Sequence, residues 1–175
     1  KASPGKLNYG TIGPGSMSHL IIELYLRTIG AQATPVAYKG PPQAVQALIA
    51  GEIDFLSDSV ATSGGLIDAG KVRALAVATN ARMSQLPDVP TWTETGLKLV
   101  IGVWLGMFAP KGTPRPILDQ WSRCASDYLR NAGARSRLVA RGVEPIPSTP
   151  QEFARLVAAD EAQWRPLIKS LHIQT

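Results

Sequence analysis

The 175-residue chain reads as an α/β protein with a largely parallel sheet. Three features predict this fold. Strand-like and helical apolar periods alternate through the first hundred residues, a glycine-rich turn joins the first strand to the first helix, and Gly or Pro marks several of the predicted boundaries. Leu7, Tyr9 and Ile12 give the opening segment strand character. The turn from Gly10 to Ser16 follows, and Leu20, Ile21, Leu24 and Ile29 then recur at helical spacing until Gly30. Residues 33 to 38 resume a strand, which Gly40-Pro41-Pro42 breaks to open a helix from Gln43 to Ala50 closed by Gly51. Residues 53 to 56 read as a short buried strand. Residues 60 to 69 read as a weak helix interrupted at Gly64-Gly65, and residues 72 to 79 read as the clearest strand of the chain.

A second organisation starts near Val103. Residues 104 to 109 are apolar and strand-like, and Thr113 stands where it can cap a long helix beginning at Pro114 and ending near Arg141-Gly142. Residues 143 to 146 read as a short strand. Thr149 with Glu152 three residues on forms a capping-box signature for a last helix reaching about Leu171. Its Phe153, Leu156, Val157, Trp164, Leu167, Ile168 and Leu171 make an apolar stripe that requires a packing partner.

Composition narrows the function. With 45% hydrophobic and 18% charged residues the chain can bury a core, and no apolar run is long enough to cross a bilayer as a helix. The net charge of +5 is scattered except between Arg115 and Arg141, which reads as a solvated basic helix face; no zinc-finger spacing or aromatic RNA-binding motif supports a nucleic-acid partner. Cys124, the single cysteine, falls on a helical pattern with Leu118, Trp121 and Leu129, and reads as a small core residue. The start at Lys1 reads as a loop leading into a strand, and predicts that an upstream portion is missing.

No catalytic constellation emerges, and His19 and His172 show no metal-ligand spacing. His19 falls in the first turn of its helix, where the dipole favours a neutral imidazole bonded to nearby backbone. Asp54 and Asp58 are weak as an acid/base pair, and Asp58 suits a strand-end ligand or a helix cap. The Gly10 to His19 turn carries the most chemical promise. At a helix N-terminus, unpartnered N–H groups and the positive dipole end can hold a carboxylate, with Gly13 and Gly15 allowing close approach and Thr11 and Ser16 offering hydroxyls. Its alternative is a plain cap by Ser16 or Ser18. It is neither a dinucleotide fingerprint nor a P-loop. Thr11 to Ser16, Tyr38 to Gly40, and Asp58 with Ser59 all fall at strand carboxyl ends, where open α/β sheets collect ligands.

Taken together, these landmarks resemble the substrate-binding proteins of tripartite tricarboxylate transporters, the Bug or TctC-like receptors. The resemblance rests on Pro4 to Gly10, Gly13 to Ser16, His19-Leu20, Tyr38-Lys39-Gly40, Gly51 to Asp54, Ala69 to Val77, Leu86 to Thr91, Trp104 to Pro114 and Ser148 to Phe153. It implies a type II periplasmic-binding-protein-like α/β fold, with residues 1–103 as most of the second lobe, incomplete at its N-terminus, and residues 104–175 as the C-terminal part of the first. It also implies a periplasmic receptor, without catalysis, cofactor or metal, that closes on a small organic carboxylate by a hinge near Val103 and Trp104 and delivers it to membrane permease subunits. The implied ligand-binding residues are Thr11, Gly13, Gly15, Ser16, Met17, Tyr38, Asp58 and Ser59, the last standing where the family often has asparagine. Pro14 removes one N–H donor from the loop. Family members carry a further upstream portion, so apolar faces left bare in this chain predict self-association. The competing expectation is a truncated regulatory or protein-interaction module that keeps the fold.

Overall fold

The computed structural model describes residues 5–171. The loop reading of the first four residues, and His172, lie outside them. The described elements are β1 (Asn8–Thr11), α1 (Met17–Ile29), β2 (Thr34–Ala37), α2 (Pro41–Ala50), β3 (Phe55–Leu56), α3 (Val60–Asp68), α4 (Arg115–Arg130), α5 (Ala132–Val139) and α6 (Pro150–Ser170). Two compact units are present: residues up to Gly102 together with those from Arg165 onward, and Val103–Trp164.

The first unit is built on a parallel sheet of order β2-β1-β3. β1 pairs with β2 in the register Tyr9 to Pro35 and Gly10 to Val36, and with β3 through Tyr9 to Phe55 and Gly10 to Leu56. Pro35 has no N–H to give a ladder, which suits β2 to the sheet edge. Alternation along β1 sends its residues to opposite faces. Tyr9, fully buried, packs with Ile22 and Leu26 of α1. On the other face a Cβ at Gly10 would stand 2.6 Å from Ile53 Cδ1 and 3.4 Å from Ala44 Cβ of α2, so glycine is what lets that side close on the sheet. Helices therefore cover both faces. Leu20, Ile21, Ile22 and Leu26 of α1 are buried, each worth about 1.5–3 kcal/mol of transfer free energy. The ends of α1 and α2 are closed alike: Gly30 N–H reaches Arg27 O and Ala31 N–H reaches Leu26 O, while Gly51 N–H reaches Leu48 O and Glu52 N–H reaches Ala47 O.

Several predicted elements change. α3 runs unbroken through Gly64-Gly65. Residues 72–79 form no strand; Val77 makes one parallel bridge with Thr91, and Ile101 N–H bonds Ala78 O. Apolar alternation makes a segment fit to be a strand, but a ladder needs a neighbour, and among the described residues none pairs with residues 72–76. The same holds for residues 143–146, where Ile146 is exposed.

In the second unit, residues 104–109 are irregular, with Trp104 half-buried and the residues after it exposed. Trp104 meets Phe153 of α6 edge-on at 5.1 Å and Phe108 meets it at 5.3 Å, while a Cβ on Gly106 would strike the Phe153 ring. Trp104 Nε1 donates to Asp160 Oδ2 at 2.5 Å. Val103, Leu105, Met107 and Phe108 are exposed, Leu105 at 90%, so the Phe108 ring touches Phe153 while most of its surface stays open. Thr113 does not cap α4; Pro114 holds the N-cap position, and the Thr113 hydroxyl donates back to Pro110 O. The long helix breaks at Asn131, whose side chain accepts from Ala134 N–H to start α5. Cys124 is exposed rather than buried, because α4 buries none of its residues among the described contacts and leaves Ile117, Trp121 and Tyr128 on its surface. The capping box of α6 forms as expected. Thr149 N–H and hydroxyl donate to Glu152 Oε2 at 2.8 Å each, and Glu152 N–H returns to Thr149 Oγ1 at 3.2 Å. These bonds hold the Glu152 carboxyl below its ordinary range, the backbone donor most strongly.

Candidate functional site

Parallel pairing sends the carboxyl ends of β1, β2 and β3 to one edge of the sheet. The chain leaves β1 through α1 to pair β2 on one side, then crosses through α2 to place β3 on the other. The strand order thus reverses beside β1, the position where open α/β sheets form a crevice. The three segments singled out in the sequence, residues 11–17, 38–40 and 58–59, follow β1, β2 and β3 at this edge.

The central loop is knit by its own polar groups. Thr11, only 2% exposed, accepts the Gly13 N–H on Oγ1 at 3.0 Å. Gly13 at φ 118° and Gly15 at φ 76° take backbone conformations that side chains with a Cβ resist. Ser16 is the N-cap of α1: its hydroxyl donates to Gly13 O at 2.7 Å and accepts the His19 N–H at 3.3 Å. The hydroxyl hydrogen is therefore engaged within the loop. Ile12 N–H bonds Ser18 Oγ and Ser16 N–H bonds Gly13 O, both at 3.2 Å. Gly15 N–H donates to Nδ1 of His19 at 3.1 Å, so the neutral imidazole expected from the helix dipole is bonded to backbone. Pro14 has no N–H. Among the described residues, the N–H groups of Met17 and Ser18 remain without a protein acceptor, at the positive end of α1.

Two residues behind this loop escaped the sequence reading. Tyr9 donates its hydroxyl to Glu23 Oε1 at 2.6 Å, and the same oxygen lies 4.0 Å from His19 Nε2. The Tyr9 ring stacks on the imidazole at 6.3 Å and 19°, and meets Phe55 at 5.7 Å. Burial first, then the hydrogen bond and charge of Glu23, push the Tyr9 phenol upward, so it stays protonated as a donor. The available signal was the i, i+4 spacing of His19 and Glu23 one helical turn beyond the glycines.

Tyr38 is joined to the loop directly, its N–H donating to Thr11 O at 2.8 Å, and its side chain borders a shallow groove along Gln43, Gln46 and Glu52. Asp58 is not the cap of α3; Ser59 holds that position, and Asp58 Oδ2 accepts the Ser63 hydroxyl at 2.5 Å. The Ser59 and Thr62 hydroxyls are 3.0 Å apart. Asp54 accepts Asn8 N–H at 2.7 Å. The two carboxylates are thus engaged with different partners, and do not form a pair.

A parallel sheet covered on both faces, with a glycine-rich loop and a helix N-terminus at its switch point, defines an α/β domain of the kind that presents loops to small ligands. The chain belongs to the tripartite tricarboxylate transporter family receptors, the TctC family, whose pattern matches residues 1–173. Its relatives include a UPF0065 protein from the ttuE–ttuC′ intergenic region of Agrobacterium vitis, 35% identical over 92% of this chain and 46% of that protein. BugT of Bordetella pertussis is 29% identical over 97% and 52%. Among solved structures, Rpa4515 of R. palustris with adipate is 32% identical at a TM-score of 0.88, covering 96% of this chain and 56% of that one. MatC of Rhodopseudomonas palustris with bound malate is 33% identical at 0.83, covering 94% and 57%. The shared fold is that of the TctC and Bug periplasmic binding proteins. The chain spans about half the length of these relatives. No helix among the described residues is long and apolar enough to cross a membrane.

Proposed function

We propose that this chain carries the carboxylate-binding part of an extracytoplasmic solute receptor, acting in the periplasm and delivering a small organic carboxylate to the permease subunits of a tripartite tricarboxylate transporter. Residues 1–103 act as most of one lobe and residues 104–175 as part of the other. The observation that carries the reading is the pair of N–H groups on Met17 and Ser18, unpartnered among the described residues and aimed from a helix N-terminus at the switch point. Two neutral donors at a positive dipole end match the two oxygens of one carboxylate. Gly13 and Gly15 let it approach, Thr11 and Ser16 hold the loop, and Tyr38, Asp58 and Ser59 flank it from β2 and β3 to read the rest of the ligand. Similarity to receptors solved with adipate and malate supports the class.

Calorimetry of the chain against malate and adipate, with their diamides as neutral controls, tests this. Binding of a dicarboxylate but not its diamide is expected; equal affinity for both, or none for either acid from a folded sample, refutes it.

The exposed Val103, Leu105 and Met107, and Trp121 on α4, support a second reading, a module that associates through exposed apolar side chains with another copy or a protein partner. A concentration-independent monomer by light scattering, with no bound polypeptide, counts against it.

A further inference from the structure

We propose that His19, fixed by Tyr9 and Glu23, is a positioning residue that sets the geometry of the anion donors; this rests on the carboxylate-receptor reading above. Gly15 sits between Gly13 and the first turn of α1, and its N–H is fastened to Nδ1 of His19 at 3.1 Å. An imidazole accepting at Nδ1 carries its proton on Nε2. That nitrogen faces Glu23 Oε1 at 4.0 Å, and the same oxygen takes the Tyr9 hydroxyl at 2.6 Å. The ring cannot flip without putting a carbon against the Gly15 amide, and Tyr9 stacks along it from a position buried in the core.

The consequence falls on the free donors. With Gly15 N–H held by His19, Ser16 N–H held by Gly13 O and Pro14 lacking one, an incoming carboxylate meets, among the described residues of this turn, the N–H groups of Met17 and Ser18. If His19 releases Gly15, a third N–H competes for the anion, and the turn loses the anchor that fixes the direction of the other two. His19 thus acts through the backbone without touching the ligand, and Glu23 and Tyr9 act through His19.

The test separates the clamp from the cradle. Nitrogen-15 NMR of the full chain reads the His19 tautomer and the hydrogen exchange of the Gly15 amide, independently of any ligand. Calorimetry with malate and adipate reads the cradle in wild type, His19→Asn and His19→Leu. The expected result is an Nε2-protonated tautomer with a protected Gly15 amide. Asparagine, whose carbonyl can replace Nδ1 as acceptor, should keep affinity within about threefold, while leucine should lose about tenfold, the equivalent of one hydrogen bond. A His19→Leu variant that binds as wild type does, or a wild type protonated at Nδ1, overturns the positioning role and leaves the receptor reading intact. A wild type with the expected tautomer that binds neither acid overturns the receptor reading, and the positioning role with it. Should the leucine variant not fold, the wild-type tautomer and the asparagine affinity decide.

Discussion

Replacing Tyr9 by phenylalanine removes one oxygen from the most deeply buried side chain of the β1–α1 core. The ring remains, so its packing on Ile22, Leu26, Phe55 and the His19 imidazole is kept, and the change isolates the 2.6 Å bond to Glu23. A hydrogen bond to a charged acceptor contributes about 1.5–3 kcal/mol. The Glu23 side chain is 19% exposed, so water can partly replace the lost donor and the lower part of that range applies. A loss of about 1.5–2 kcal/mol is therefore expected. Hydrogen exchange of the β1 and β2 amides under rising urea follows this unit separately from Val103–Trp164. In a double-mutant cycle with Glu23→Gln, the coupling should be about 1 kcal/mol. A Tyr9→Phe loss below about 0.5 kcal/mol, or no coupling in the cycle, refutes the reasoning.

Ser16→Ala should cost about 1 kcal/mol in thermal or urea unfolding through loss of the α1 N-cap, and should also weaken dicarboxylate binding, because the hydroxyl ties Gly13 O to His19 N–H; unchanged stability would deny the cap. The Thr149 donors, the backbone N–H first, hold the folded Glu152 carboxyl below the ordinary carboxylate range, so its contribution is fully present above that range and is lost as pH falls through the folded pKa. Wild-type stability should therefore drop over this acidic window by more than that of Glu152→Gln, measured by circular dichroism in urea; parallel curves would contradict it. Cys124, exposed on α4, should react with a thiol reagent without denaturant, at a rate near that of the unfolded chain. Strong protection in concentrated but not dilute samples would show that association covers this helix.

Local chemistry was legible in the residues themselves. Ser16 caps α1, Thr149 and Glu152 form their reciprocal box, and Gly30 and Gly51 close α1 and α2, because each device acts within a few residues and needs no distant partner. The parallel sheet followed from alternation of strand and helix, since a chain returning parallel to its last strand must cross over. The glycine turn was visible for the same reason. Its electrostatics come from its own backbone and the helix that follows.

Pairing and long-range burial required the fold. Residues 72–79 and 104–109 have strand composition, yet composition supplies no neighbour, and among the described residues only Val77 of the first segment finds a bridge. The amphipathic pattern of α4 placed Cys124 and Trp121 on a face meant for burial, but a face is buried only where another element covers it. In the loop, the sequence offered Ser16 and Thr11 as candidate hydroxyls for an anion; the tertiary structure decided that both are engaged with the Gly13 backbone and that, among the described residues, the Met17 and Ser18 N–H groups have no protein acceptor. Tyr9 and Glu23 became part of the site for the same reason. Their contact spans fourteen residues of chain, and the docking of α1 on β1 is what brings the phenol, carboxylate and imidazole together behind the glycines.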